Sequence, residues 1–180
     1  MPHLSAFGIV AFTLFLACIP LANWMIGHVG TVCVPNGPCL LPVAPGLMAP
    51  SGVLMIGAAL VLRDIVQRVL GPVWALIAIV VGACLSLLLA PPALVLASGA
   101  AFFLSELVDF AIYTPLQRRR LLLAVLASSA VGLVVDSIVF LALAFGSLDY
   151  LGGQIVGKAW ALLIAFPLVR LTRRISPAIT

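Results

Sequence analysis

Residues 93–120 read ALVLASGAAFFLSELVDFAIYTPLQRRR. As far as Leu116 the stretch is apolar and long enough for a helix to cross the hydrocarbon core of a bilayer, which takes about 20 residues. Within it Phe102, Glu106, Asp109 and Tyr113 recur at steps of four, three and four, and so share one stripe of that helix. A charged residue at the centre of a lipid-embedded helix costs about 2.5–3.5 kcal/mol on insertion scales. A stripe carrying two carboxylates therefore faces a protein interior or a wet cavity. The basic run Arg118, Arg119 and Arg120 that closes the stretch has the character of a cytoplasmic helix end.

The rest of the chain extends this pattern. Hydrophobic residues make up 64% of the 180 positions and charged residues 8%, a balance that a water-soluble domain could not cover with polar surface. Apolar runs broken by Gly, Pro and charge predict helices at Leu4–Ile26, Leu47–Leu70, Val73–Ala90, Ala93–Leu116, Leu121–Phe145 and Leu151–Leu171. The first run has no basic segment before it and further spans after it, so it reads as a retained helix and not a signal peptide. The long Pro- and Gly-rich connection Gly27–Gly46 cannot be a regular helix and is expected to cap one mouth of the bundle. Arg63 and Arg68 end helix 2, Arg118–Arg120 join helices 4 and 5, and Arg170, Arg173 and Arg174 follow helix 6. The other connections carry no Lys or Arg. By the positive-inside rule the expected architecture is an all-α integral membrane protein, one domain over residues 1–180, with six transmembrane helices and both termini cytoplasmic.

Once the helix-end arginines are set aside, Asp64, Glu106, Asp109, Asp136 and Lys158 remain at membrane depth. Asp136 lies mid-helix between Gly132 and Phe140, and Gln154 and Lys158 share a face of helix 6. The acids of helices 4 and 5 are expected to meet Lys158 in one polar cavity. A lysine that neutralised Asp136 or Glu106 only to hold helices together would need a single partner, and the surplus acids point instead to a ligand, a proton or water. Asn23 could bond a ligand or cap its own helix. Arg63, Asp64 and Tyr113 fit a gating or structural role, with an interfacial anchor favoured for the Arg–Asp pair. Gly153 and Gly157 have the spacing that lets helices approach closely. Cys33 and Cys39 lie in the outer connection, where an oxidising compartment permits a disulfide that spacing alone cannot establish, while Cys18 and Cys84 read as packing residues.

Several chemistries have no signature here. There is no phosphate-binding lysine loop, zinc-protease helix motif or serine nucleophile elbow, and His3 and His28 have no ligand or triad spacing. No catalytic residue, metal or cofactor is expected. The basic excess sits at helix ends, which argues against nucleic acid as a partner and leaves lipid as the surroundings.

Taken together, Ala22–Asn23, Arg63–Asp64 with Gln67 and Gly71, Ser105–Glu106 with Asp109 and Tyr113–Thr114–Pro115, Gly132 with Asp136–Ser137 and Phe140, then Gly157–Lys158 and Pro167, resemble the vitamin uptake transporter family, also called the queuosine precursor transporter family. The resemblance runs from Asn23 to Arg170. It implies a multi-pass protein of the bacterial inner membrane that imports 7-cyano- or 7-aminomethyl-7-deazaguanine for salvage into the tRNA nucleoside queuosine. Asn23, Asp64, Asp109, Asp136 and Lys158 match polar positions of the family pattern. Glu106 falls where some members have an amide, and the Cys-containing loop is not part of the pattern.

The chemistry of such a ligand fits these residues. A guanine-like edge offers two N–H donors beside a carbonyl, so a carboxylate can take the donors while an ammonium or amide serves the carbonyl. Phe102, Phe140 or Tyr113 could stack on the base. Three other readings stay open: a substrate-capturing subunit for a vitamin-like solute that needs a separate energising module, a membrane-embedded enzyme using the acids, and a non-catalytic scaffold. A homodimer and a monomer are both compatible with the sequence.

Overall fold

The computed structural model describes residues 5–35 and 37–175, with side chains described as far as residue 167. Among the described residues there are six α-helices, a three-stranded antiparallel sheet and one short 3-10 turn: α1 Ala6–His28, β1 Val32–Cys33, β2 Cys39–Ala44, β3 Leu47–Pro50, α2 Val53–Leu70, α3 Pro72–Leu89, the turn Pro92–Leu94, α4 Val95–Leu116, α5 Leu121–Phe145 and α6 Leu151–Ile175. The expected start of the first helix at Leu4, together with His3, lies outside the described residues. The side chains of Arg170, Arg173 and Arg174 do as well.

Local chemistry accounts for the helix boundaries. The Ser5 hydroxyl accepts from the Gly8 amide at 3.0 Å and so satisfies one of the unpaired donors at the start of α1. Gly71, at φ 99°, ends α2 and begins α3 in a single residue, and Pro72 occupies the first position of α3, where a missing N–H costs nothing. Gly146, at φ 66°, supplies the left-handed residue that closes α5.

The all-α expectation needs correcting in the connection between α1 and α2. Residues assigned to an irregular cap and to the first turns of helix 2 form the sheet, with Cys33 opposite Cys39, Leu40 opposite Pro50 and Leu41 opposite Ala49. Gly46, at φ 73°, turns β2 into β3, so Leu47–Pro50 pairs as a strand and α2 begins only at Val53. β1 pairs with β2 only at Cys39 and Leu40, leaving Pro42, which has no N–H to donate, beyond the reach of that neighbour. A Cys33–Cys39 disulfide joins β1 to β2. The sheet is fastened to the helices by the Ser51 hydroxyl, which donates to the Met25 carbonyl at 2.7 Å. It also approaches α6 so closely that a Cβ on Gly153 would lie 1.9 Å from the Met48 carbonyl oxygen.

Helix α2 is enclosed on every side: each residue from Ala59 to Gln67 is buried. α1 and α6 pack along it, and the other helices complete the wall. Three apolar clusters follow the length of α1. One gathers around Ala11 with Val61, Ile65 and Val125, one around Phe15 and Ile19 with Leu62 and Phe102, and one around Ile26 with Ala101, Phe140 and Leu141.

The outer surface is apolar, with Val73, Leu76, Val80 and Leu88 of α3 and Trp160, Leu163 and Ile164 of α6 all exposed. A belt of this kind belongs in lipid. α1, α3, α4 with its leading turn, and α5 are each long and apolar enough to cross a membrane by length and composition. α2 differs from them by carrying Arg63, Asp64 and Arg68 inside its 18 residues, and the apolar part of α6 is the shorter stretch Leu151–Pro167.

Candidate functional site

Among the described residues, two buried polar clusters lie inside the bundle. The first is centred on Arg63, whose side chain is completely buried. Its Nε donates to Glu106 Oε2 at 3.1 Å, one Nη donates to Gln67 Oε1 at 2.9 Å, and the other contacts Asp109 Oδ1 and, at 3.1 Å, Asp64 Oδ1. Gln67 passes the network on to the Thr114 hydroxyl at 2.8 Å, and the Tyr113 ring lies 5.6 Å from the guanidinium carbon. Ser128 of α5 reaches Asp64 Oδ2 at 3.5 Å. A planar five-donor fork is the group suited to holding several carboxylates at once.

The second cluster belongs to α5 and α6. Lys158 Nζ donates to Asp136 Oδ2 at 2.5 Å, to the Ser137 hydroxyl at 2.7 Å and to Gln154 Oε1. Those three bonds use every donor that an ammonium has. Asp136, Gln154 and Lys158 line a cavity that reaches across to Asn23 of α1, with Phe102 of α4 and Phe140 of α5 as its aromatic walls. Pro50 and Gly52, at the junction of sheet and α2, complete one side. Its free space is about 40 Å³, where a single water needs roughly 10–15 Å³.

The expected convergence of Glu106, Asp109, Asp136 and Lys158 on one cavity is thus corrected. Phe102 and Asp109 share a stripe, as the spacing requires, but seven residues rise roughly 10 Å along a helix. Phe102 meets the cavity, whereas Glu106 and Asp109 meet Arg63 one and two turns further on. The interfacial-anchor reading of Arg63 and Asp64 is corrected for a related reason. With α2 starting at Val53 these residues fall mid-helix, and both are buried.

Other sequence-derived residues are placed as follows. Asn23 both lines the cavity and donates to the Ile19 carbonyl of its own helix at 3.0 Å. Tyr113 packs on Arg63 and not on the cavity. Gly157 meets Val53 and Val43, and Gly57 of α2 meets the Lys158 backbone, so these small residues serve contacts within the chain. Ser86 and Ser98 also line the cavity and were not singled out by the sequence reading. The available signal was a hydroxyl inside an otherwise apolar run.

Residues 86–172 match the model of a family described as "Putative vitamin uptake transporter". The vitamin uptake transporter match covers the end of α3 and all of α4 and α5, together with most of α6, and so contains Glu106, Asp109, Asp136, Gln154 and Lys158. Asn23, Arg63 and Asp64 lie before it. No curated protein and no solved structure matches the chain. The similarity to a transporter family over these residues and, among the described residues, four helices long and apolar enough to cross a bilayer fit a multi-pass membrane protein.

Proposed function

We propose that this chain imports a 7-deazapurine, 7-cyano- or 7-aminomethyl-7-deazaguanine, across the bacterial inner membrane as a six-helix carrier. The observation that carries the reading is the cavity where Asp136, Gln154 and Asn23 face Phe102 and Phe140. Lys158 occupies Oδ2 of Asp136 and the oxygen of Gln154, so it acts by holding those two side chains and not by donating to the ligand. The second Asp136 oxygen then accepts the N–H donors of a guanine-like edge, and the Gln154 amide N–H serves its carbonyl. The phenylalanines give the flat rings a stacking surface, a contact worth roughly 1–3 kcal/mol per base in single-stranded nucleic-acid sites.

Both termini face the cytoplasm in this reading. The Gln67–Thr114 bond brings the Arg68 end of α2 beside the end of α4 that leads into Arg118–Arg120. Gly27 and Pro91, from connections without Lys or Arg, approach each other at the opposite end with the sheet. That segregation of basic residues supports a cytoplasmic arginine end and an external sheet. Opening the cavity alternately to either side would then carry the solute inward.

Ligand titration of the purified protein tests the proposal. 7-Cyano-7-deazaguanine is expected to raise the melting temperature in proportion to the logarithm of its concentration, by the equivalent of about 2.7 kcal/mol at a hundred times Kd. An unrelated vitamin should do nothing. Asp136→Asn should weaken binding roughly ten- to a hundredfold. No shift with any 7-deazapurine or with guanine would sink the substrate assignment.

A further inference from the structure

The Arg63 cluster contains more acid than base. Asp64, Glu106 and Asp109 surround one guanidinium, all of them buried, so three carboxylates face one positive charge. Among the described residues, Arg63 is the cation that faces Asp64. α4 contributes Glu106, Asp109 and the Tyr113 phenol, and α2 itself carries Arg68 one turn beyond Asp64. Among the described residues, α5 contributes the Ser128 hydroxyl, and Lys158 of α6 is engaged by Asp136.

The oxygens are unevenly served. Asp109 Oδ1 is bound by Arg63, but Asp109 Oδ2 and Asp64 Oδ1 are buried without a hydrogen bond, although Asp64 Oδ1 is near the guanidinium. The Asp64 and Asp109 carboxylates contact the same Nη of Arg63 and so lie side by side. Ionised carboxylates only accept. Two ionised carboxylates side by side with one guanidinium repel each other, and a hydrogen shared between them would relieve that repulsion.

We propose that the Arg63 cluster is a proton-binding site, with the proton carried on Asp64 and shared with Asp109, and that its occupancy is linked to occupancy of the cavity. Asp64 is the carrier because Arg63 donates a hydrogen bond to Asp109, which therefore keeps the charge, and none to Asp64. The link is mechanical: α4 presents Phe102 to the cavity and Glu106 and Asp109 to Arg63, while α5 presents Asp136 to the cavity and Ser128 to Asp64. Gly132 of α5 sits against Asp109, where an added Cβ would come within 3.2 Å of Oδ2. A displacement of α5 against α4 that opens the cavity alters the surroundings of the shared proton. The linkage rests on the transport reading, whereas the proton site does not.

Infrared spectroscopy of the purified protein reads the site directly, because the chain has only five carboxylic side chains. At neutral pH the wild type should show the carbonyl stretch of a protonated carboxylic acid, shifted in D₂O. Asp64→Asn should abolish it while melting close to wild type, since the amide supplies the missing donor in the same shape. Glu106→Gln should retain it, and serves if Asp64→Asn does not fold. Adding 7-cyano-7-deazaguanine to weakly buffered wild type should change the proton count, an effect absent from Asp64→Asn.

No protonated band between acidic and mildly alkaline pH would overturn the site, above all if sodium chloride then stabilised the protein where choline chloride did not. Persistence of the band in Asp64→Asn, or its loss in Glu106→Gln, would overturn the assignment to Asp64. A band that behaves as expected, alongside 7-cyano-7-deazaguanine binding with no proton exchanged, would overturn the linkage. The expected band with no 7-deazapurine binding would remove the transport reading and leave the proton site standing.

Discussion

Lys158 directs all three of its donors at neighbours in the chain, and its energetics follow from that closure. Removing the ammonium alone, in Lys158→Met, leaves Asp136 buried beside an apolar side chain, a loss of about 3–5 kcal/mol. Adding Asp136→Asn removes the stranded charge and should recover most of that stability, as a double-mutant cycle in detergent would measure. Binding of 7-cyano-7-deazaguanine should stay ten- to a hundredfold weaker in the double mutant, because one charge-assisted bond to the ligand is gone. Wild-type affinity there would mean that the pair is purely structural. Asp136 and Lys158 stood out in the sequence because each is a lone charge inside an apolar run, but the choice between Asp136 and Glu106 as the partner of the lysine stayed open there. Arg63 was not legible, since an arginine near an assumed helix end looks like every other interfacial arginine. Only the true start of α2 reveals that it is central.

At the scale of elements, the helices could be read and the sheet could not. Helices α3, α4 and α5 start and stop where Gly, Pro and charge interrupt long apolar runs, within two residues of the sequence reading. The strands are short, contain prolines and are held by a turn glycine, a disulfide and the side of α6, and none of these leaves a periodic signal. Their tightest seat gives a prediction. Gly153→Ala would drive its methyl into the Met48 carbonyl, and backbone cannot yield as a side-chain tip does. A loss of about 1–3 kcal/mol is expected from overpacking. Gly152→Ala, whose methyl would meet only Leu47 at 3.6 Å, should melt near wild type. Equal melting temperatures for the two variants would show that α6 and the sheet are not in register.

For the molecule as a whole, the segregation of basic residues gives a prediction about orientation. In a background lacking Cys18 and Cys84, an impermeant thiol reagent outside cells should leave Arg119→Cys unmodified and should label Gly46→Cys, which lies in an open turn. The reverse result would invert the bundle. A different consequence follows from the enclosure of α2. In the six-helix reading, this segment leaves the ribosome with Arg63 and Asp64 at its centre, while Asp109, which grips the guanidinium, follows 46 residues later. A charge at that depth disfavours release into lipid by about 2.5–3.5 kcal/mol. The nascent segment is therefore expected to linger at the translocon, or beside α1, until α4 emerges. The ion cluster that organises the finished bundle would thereby also set the order in which its parts are built.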